Sequence, residues 1–111
     1  MNARAEIDPG ICQFHTIVTA VSEDSKDVTF EFETQCETIK ELAKQINEIS
    51  PIYALGTLYP EEDSILLIAR RLLQSKGCCE ACVVPAGAVK AMQVAANLAL
   101  PKDVSLSITK E

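Results

Sequence analysis

The sequence predicts an α+β fold. An antiparallel β-hairpin and a C-terminal strand form a small sheet, covered on one face by about three helices, in the order β-β-α-α-α-β. Apolar and polar residues alternate near the start and again near the end of the chain, as in half-buried strands. Between these stretches the apolar period changes to 3.6 residues, which indicates amphipathic helices. Strands and helices that occur in runs, rather than in strict alternation, are typical of α+β domains.

The first predicted elements are the two strands of the hairpin. Residues 1–10 are mostly polar, and we expect them to form a flexible N-terminus. β-Branched and aromatic residues follow in residues 11–22, and residues 27–36 alternate apolar with polar side chains. The polar segment 23–25 lies between these stretches and suits a hairpin loop, so we expect an antiparallel pair.

A three-residue loop would also set the register of this hairpin. Ser22 then faces Lys26, and pairing outward from there puts Cys12 opposite Cys36. The same register aligns the apolar faces of the two strands. A shift of two residues would leave the cysteines as diagonal neighbours on one face. We therefore expect Cys12 and Cys36 to lie close together.

Three helices are expected to cover the sheet. The first carries an apolar stripe and ends at Ser50-Pro51. The second begins after the proline and three acids of residues 60–63 and ends at Gly77. Pro85 opens the third, which carries a stripe of small residues: Ala88, Ala91, Ala95 and Ala99. This stripe suits close packing within the fold, and a homodimer interface is the alternative.

The last predicted element is a strand that joins the sheet. Val104, Leu106 and Ile108 alternate with hydroxyl-bearing residues, which is typical of a strand with one buried face. A chain of 111 residues has the length of one domain, so we expect residues 1–111 to form a single unit.

Composition and charge argue against several function classes. Hydrophobic residues make up 48% and charged residues 23%, as in ordinary globular proteins. Ten basic and 16 acidic residues give a net charge of −6, which would repel the phosphates of nucleic acids and anionic membranes. No apolar run approaches the roughly 18 residues that span a bilayer. We therefore expect a cytoplasmic protein that binds neither nucleic acid nor membrane.

The five cysteines are the one compositional excess. In a cytoplasmic chain they favour metal binding or redox chemistry over structural disulfides. Cys79 and Cys82 have the C-x-x-C spacing, which lets two sulfurs hold one metal ion. Cys36 and Cys82 each precede a predicted helix, whose N-terminal partial charge stabilises thiolates. With Cys12 they would supply four sulfur ligands for zinc or an iron–sulfur cluster.

Two other functions stay open, and with them the question of whether the protein is an enzyme. A thiol-disulfide oxidoreductase would use Cys82 as the attacking and Cys79 as the resolving thiol, although thioredoxin-like motifs attack with the first cysteine. A non-catalytic interaction domain would only pack its cysteines as small apolar residues. Cys78 is expected to be a bystander. His15, the only histidine, is expected to face solvent on the side of the strand opposite Cys12.

Short motifs are scattered along the chain: Cys12-Gln13-Phe14, Cys36-Glu37, Cys82-Val83-Val84-Pro85, Lys90-Ala91 and Ala99-Leu100-Pro101-Lys102-Asp103-Val104. This pattern resembles a small family of uncharacterised single-domain proteins of unknown function, found mainly in anaerobic bacteria and archaea. In that family the position of Cys79 is often histidine, which is also a zinc ligand, and that of Val83 is often proline. The resemblance implies a shared fold and no particular activity. An anaerobic setting would tolerate oxygen-sensitive clusters.

Overall fold

The fold is a four-stranded antiparallel sheet with helices on one face. The computed structural model describes residues 1–57, 64–76 and 81–111. The strands lie in the order β1-β2-β3-β4: β1 (Asn2–Ile7), β2 (Thr16–Val21), β3 (Asp27–Thr34) and β4 (Ile52–Tyr53). The helices are α1 (Glu37–Ile49), α2 (Ile65–Lys76) and α3 (Val84–Ala95), and a 3-10 turn (Ala54–Thr57) follows β4. The α+β class is confirmed.

Alternation along β2 and β3 decides which face of the sheet is covered. Val18 and Ala20 on β2 and Val28 and Phe30 on β3 are buried. The intervening side chains of β3, such as Glu31, are exposed. The apolar face is therefore the one on which the helices pack, because burial of apolar side chains is the dominant favourable term in folding.

Each helix turns its apolar stripe toward the sheet or toward another helix. In α1, which packs on β3, the stripe consists of Ile39, Leu42 and Ile46. The helix α3 packs on β1 and β2 and buries three alanines of the predicted stripe, Ala88, Ala91 and Ala95. The fourth, Ala99, lies beyond the end of the helix and is exposed. The three buried alanines pack within the fold, and small side chains let the helix approach the sheet closely.

The first correction concerns the N-terminus. The expectation of a flexible segment is wrong over Asn2–Ile7, which form β1 and pair along their whole length with β2. Ala3, Ala5 and Ile7 alternate with polar residues, and they fall on the face that α3 covers. Short apolar side chains suffice here because the helix lies close above the strand. A Cβ atom on Gly87 of α3 would lie only 2.5 Å from Ile7 Cδ1.

The second correction concerns the register of the hairpin. Antiparallel pairing of β2 with β3 is confirmed, but Thr16 lies opposite Thr34, two residues from the predicted register. The loop is longer than expected because Asp24 organises it. Its Oδ1 atom accepts hydrogen bonds from the backbone N–H groups of Lys26 and Asp27, both at 2.9 Å. The shift is by an even number of residues, so the apolar face is unchanged.

The third correction concerns the C-terminal strand, which the structure does not contain. Residues 96–111 form neither helix nor strand, and Val104, Leu106 and Ile108 are 62%, 72% and 91% exposed. The position beside β2 that the hairpin leaves open is taken by β1 instead. An alternating pattern shows that a segment suits a strand, but it does not identify the strand with which the segment pairs.

Two remaining predictions are only partly covered by the structure. The predicted start of the second helix at residues 60–63 and its end at Gly77 lie outside the described residues. The third helix begins at Val84, beside the predicted Pro85, and ends at Ala95. No helix in the described ranges has the length and apolar character needed to cross a membrane.

Candidate cysteine site

One end of the sheet collects segments that are far apart in the sequence. The strand β1 ends at Ile7, β2 begins at Thr16 and β3 ends at Thr34, and these three residues pair in a row across the sheet. The loop of residues 8–15 and the connection to α1 therefore both leave the sheet at this end. We call it the cysteine end, since Cys12 lies in the loop and Cys36 in the connection.

The helix α3 starts at the same end of the sheet. Gly87, in its first turn, faces Ile7. Beyond its other terminus, the Asn97 side-chain amide donates a hydrogen bond of 2.8 Å to Ser25 Oγ in the opposite hairpin loop. The helix therefore runs from the cysteine end to the hairpin loop. Cys82, two residues before the helix, lies at the cysteine end.

A pair of threonines, of which Thr16 is buried, holds this end together. The hydroxyl oxygens of Thr16 and Thr34 lie 2.9 Å apart and share a hydrogen bond. Thr16 Oγ1 also donates to the carbonyl oxygen of Phe14 at 3.2 Å, and the Cys36 N–H donates to Thr34 Oγ1 at 3.2 Å. Because Thr16 is only 1% exposed, these bonds replace water that the hydroxyl would otherwise contact. They fix the backbone of Cys36 to the end of β3.

Cys36 stands at the N-cap position of α1. Its backbone is extended, with φ −76° and ψ 118°, and its carbonyl oxygen accepts the N–H of Lys40 at 2.9 Å. Its side chain makes no capping hydrogen bond. The thiol is half-buried and packs against the hydrophobic core, as does the thiol of Cys82. Cys36 therefore lies at one helix N-terminus and Cys82 lies just before another, where partial positive charge attracts anions.

Cys12 lies in a turn rather than in a strand. The Gln13 N–H donates to the Gly10 carbonyl oxygen at 3.0 Å, which closes a turn with Ile11 and Cys12 at its tip. Gly10 and Gln13 have φ of +87° and +63°, and glycine adopts the first of these without strain. Because β2 begins only at Thr16, strand alternation does not extend to Cys12, which is exposed. Cys12 is therefore not a cross-strand neighbour of Cys36.

The sequence also predicts that His15 faces solvent, and the structure confirms its exposure. Its Nε2 atom lies 3.9 Å from Asp8 Oδ1, and both side chains are more than two-thirds exposed. Asp8 also accepts the Gly10 N–H at 3.0 Å. Sequence reasoning missed these contacts of Asp8 and the threonine pair. The threonine pair could have been found only with the correct hairpin register.

The structure thus brings Cys12, Cys36 and Cys82 to one end of the sheet without joining them. Among the described residues, no three histidine, cysteine, aspartate or glutamate side chains form a group that could hold a metal ion. No disulfide links any two of these three cysteines. The predicted ligand Cys79 and its neighbour Cys78 lie outside the described residues.

Comparison with known proteins gives one match. A family of unknown function, DUF6951, matches residues 3–108, which is nearly the whole chain and includes the exposed C-terminal segment as far as Ile108. No curated protein and no solved structure matches the sequence. The residues of the chain itself therefore have to carry any functional argument.

Proposed function

Since the chain belongs to a family of unknown function, DUF6951, we propose from its own residues that it binds a zinc ion or an iron–sulfur cluster. The ligands are Cys12, Cys36, Cys79 and Cys82. One observation supports the proposal: three of these cysteines lie in segments that are far apart in the sequence and that leave the sheet at the same end.

The setting of Cys36 and Cys82 suits ligands that are already in place. Both thiols are half-buried against the core, and the threonine pair fixes the backbone of Cys36. Cys82 is followed by Pro85 at the start of α3, which limits the backbone conformations that the segment can adopt. Ligands held in this way lose little conformational entropy when a metal binds.

Cys12 has the opposite setting, because it lies on an exposed turn. We propose that this turn closes over the bound metal and brings the fourth sulfur, a movement for which Gly10 and the exposed Ile11 provide freedom. Four protein sulfurs would close the coordination sphere and favour a structural or electron-transfer role. Binding through three sulfurs would leave a position open for exchange or catalysis.

Metal content of the protein purified without oxygen tests this proposal. We expect about one zinc per chain, or iron with acid-labile sulfide and visible charge-transfer absorption. Loss of an outer-shell partner weakens metal binding roughly 10- to 100-fold, and loss of a ligand should weaken it more. We expect this larger effect from each of three substitutions, Cys12→Ser, Cys36→Ser and Cys82→Ser. Cys78→Ser is the matched control, and it should retain the metal.

Two results would contradict the four-sulfur site. Full metal content in the Cys12→Ser protein would remove Cys12 from the ligand set. Metal-free protein with two thiols oxidised, and with Cys79 and Cys82 as the oxidised pair, would favour a redox dithiol instead.

A further inference from the structure

The C-terminal segment, residues 98–111, follows the turn after α3. It contains neither helix nor strand, and all of its residues are exposed. Five of them are large and apolar: Leu98, Leu100, Val104, Leu106 and Ile108. Single apolar residues on a surface are ordinary, but five large ones exposed in one short segment favour an interaction site.

The pattern of this segment is that of a strand with one dry face. Val104, Leu106 and Ile108 point to one side of an extended chain, and Ser105, Ser107 and Thr109 point to the other. A segment with this alternation gains stability only by pairing with a strand edge beside an apolar surface. The structure of the single chain provides no such contact for it, since every one of these side chains is exposed.

An open strand edge is present on β3. On one side β3 pairs with β2, but on the other side β4 pairs only with Asp27 and Val28. In the described part of the chain, residues 29–34 of β3 therefore have no strand on that side. An edge with unpaired N–H and C=O groups is a template for another strand.

A groove runs beside this open edge. It lies between the end of β3 and α1, with a volume of about 760 Å³. Phe32 and Ala43 form the apolar part of its lining, and polar or charged residues such as Lys44 and Asn47 form the rest. The partial exposure of Phe32 shows that part of its ring lacks apolar cover in the groove. Phe30, two residues earlier on the same face, is buried, whereas Phe32 is only half-buried because the groove leaves its ring uncovered.

We propose that residues 104–109 of a second copy of this chain add a strand to residues 29–34 of β3 and fill this groove. Val104, Leu106 and Ile108 would then pack toward Phe32 and Ala43. The exchange is reciprocal, so two segments fill two grooves in a symmetric dimer. This inference does not rest on the proposed metal site.

The lengths and charges of the two segments favour residues 104–109 as the strand that fills the groove. The segment and the open edge each offer six residues, 104–109 and 29–34. The outward face of β3 carries Glu31 and Glu33, and the matching face of the segment carries only hydroxyls there, so no like charges oppose each other. Extended at roughly 3.3 Å per residue, residues 98–109 span about 40 Å, which is enough to reach a neighbouring copy.

The reciprocal exchange also makes the buried area large enough for a specific dimer. Specific interfaces bury at least about 1,000 Å², which is more than one short strand on one edge provides. Two exchanged strands double the buried area, and the bodies of the two copies contribute where they meet. The inference therefore commits to a second copy rather than to a short peptide of another protein.

The test measures the mass of the full chain in solution by light scattering, together with backbone hydrogen exchange. We expect a dimer at micromolar concentration. Leu106→Asp should raise its dissociation constant by more than about 30-fold, as for a residue at an interface centre. Ser107→Lys, one position along on the polar face, adds a charge that Glu31 and Glu33 do not repel. It is the matched control and should leave the dimer intact. Leu106 is exposed in the single chain, so its replacement leaves the monomer folded.

A second variant tests the receiving side. Ala43→Arg keeps a good helix former in α1 but places a long side chain in the groove, so it should also produce monomers. In the wild-type dimer, the amides of residues 29–34 should exchange more slowly than in the Leu106→Asp monomer.

Four results would overturn the proposal. The first is a protein that stays monomeric at every concentration, and the second is a dimer that Leu106→Asp leaves intact. The third is a dimer that Leu106→Asp dissociates without faster amide exchange at residues 29–34. The fourth is a monomer in which the amides of its own C-terminal segment are protected from exchange. The third would move the contact to another edge, and the fourth would mean that the chain fills its own groove.

Discussion

Asp24 stabilises the hairpin loop through its carboxylate. Its Oδ1 atom accepts the backbone N–H groups of Asp27 and Lys26 and, at 3.4 Å, the Ser22 hydroxyl. The hydrogen bond from Asp27, followed by that from Lys26, lowers the pKa of this carboxyl below its ordinary value of 3.8. Donors that favour the ionised form have this effect at exposed positions as well as buried ones.

The lowered pKa of Asp24 makes the stability of the fold depend on pH. A group whose pKa falls on folding adds stability above its unfolded pKa and loses it as pH drops through the folded value. We expect Asp24→Ala to unfold at a lower temperature than wild type at pH 7. The difference should shrink below about pH 4, where the wild-type carboxylate becomes protonated.

Thermal unfolding between pH 2.5 and pH 7 checks this expectation. Glu23→Ala removes the same charge from the same loop and serves as the control. A difference between Asp24→Ala and wild type that stays constant across this pH range would show that the carboxylate does not act through its charged form.

Gly87 lies so close to the Ile7 side chain that a larger residue at this position would clash with it. A Cβ atom there would lie 2.5 Å from Ile7 Cδ1 and 3.2 Å from Cγ1, so Gly87→Ala forces the isoleucine to move. Ile7→Val removes the Cδ1 atom. We therefore expect a double-mutant cycle of Gly87→Ala and Ile7→Val to give a favourable coupling of about 1 kcal/mol. Urea unfolding measures it, and additive effects would mean that Ile7 rotates away without cost.

At the scale of elements, the buried apolar residues of a helix contribute more to the free energy of unfolding than its exposed ones. Leu42 in α1 is 1% exposed, and Leu66 in α2 is 51% exposed. Leu42→Ala should lower the free energy of unfolding by about 2–5 kcal/mol, whereas Leu66→Ala should change it by less than about 1 kcal/mol. Both are the same substitution within a helix, so helix propensity cancels in the comparison, and denaturant titration measures both. Equal effects would contradict the packing described for α1.

The sequence pattern predicted the faces of the elements better than their partners. The buried sides of β2, β3 and α1 follow from alternation and from the 3.6-residue period, because burial depends on which residues are apolar. Pairing depends on loop geometry and on competition between strands. The loop around Asp24 shifts the hairpin register by two residues from the predicted one. The strand β1, whose apolar residues are mainly alanines, takes the place beside β2.

At the scale of the whole molecule, the hairpin predicted that Cys12 and Cys36 lie at the same end of the sheet, but not how each is placed there. The structure places both residues at one end of the sheet although the register differs, and Cys12 is not opposite Cys36. The metal site itself stays a prediction. The exposed turn of Cys12 could not be predicted, since it depends on left-handed backbone at Gly10 and Gln13. Nothing in the spacing of Cys82 indicated that α3 starts above Ile7.

The contact between α3 and β1 joins Ile7 and Gly87, which are 80 positions apart in the chain. The strand β1 is thus covered by a helix that lies far downstream in the sequence. Until α3 has left the ribosome, Ala3, Ala5 and Ile7 have no helix above them, and the cysteine end cannot assemble. Contacts of such long sequence separation slow folding, because the loop between the contacting residues has to be closed first. A nascent chain would therefore expose the apolar face of β1 until α3 has been synthesised.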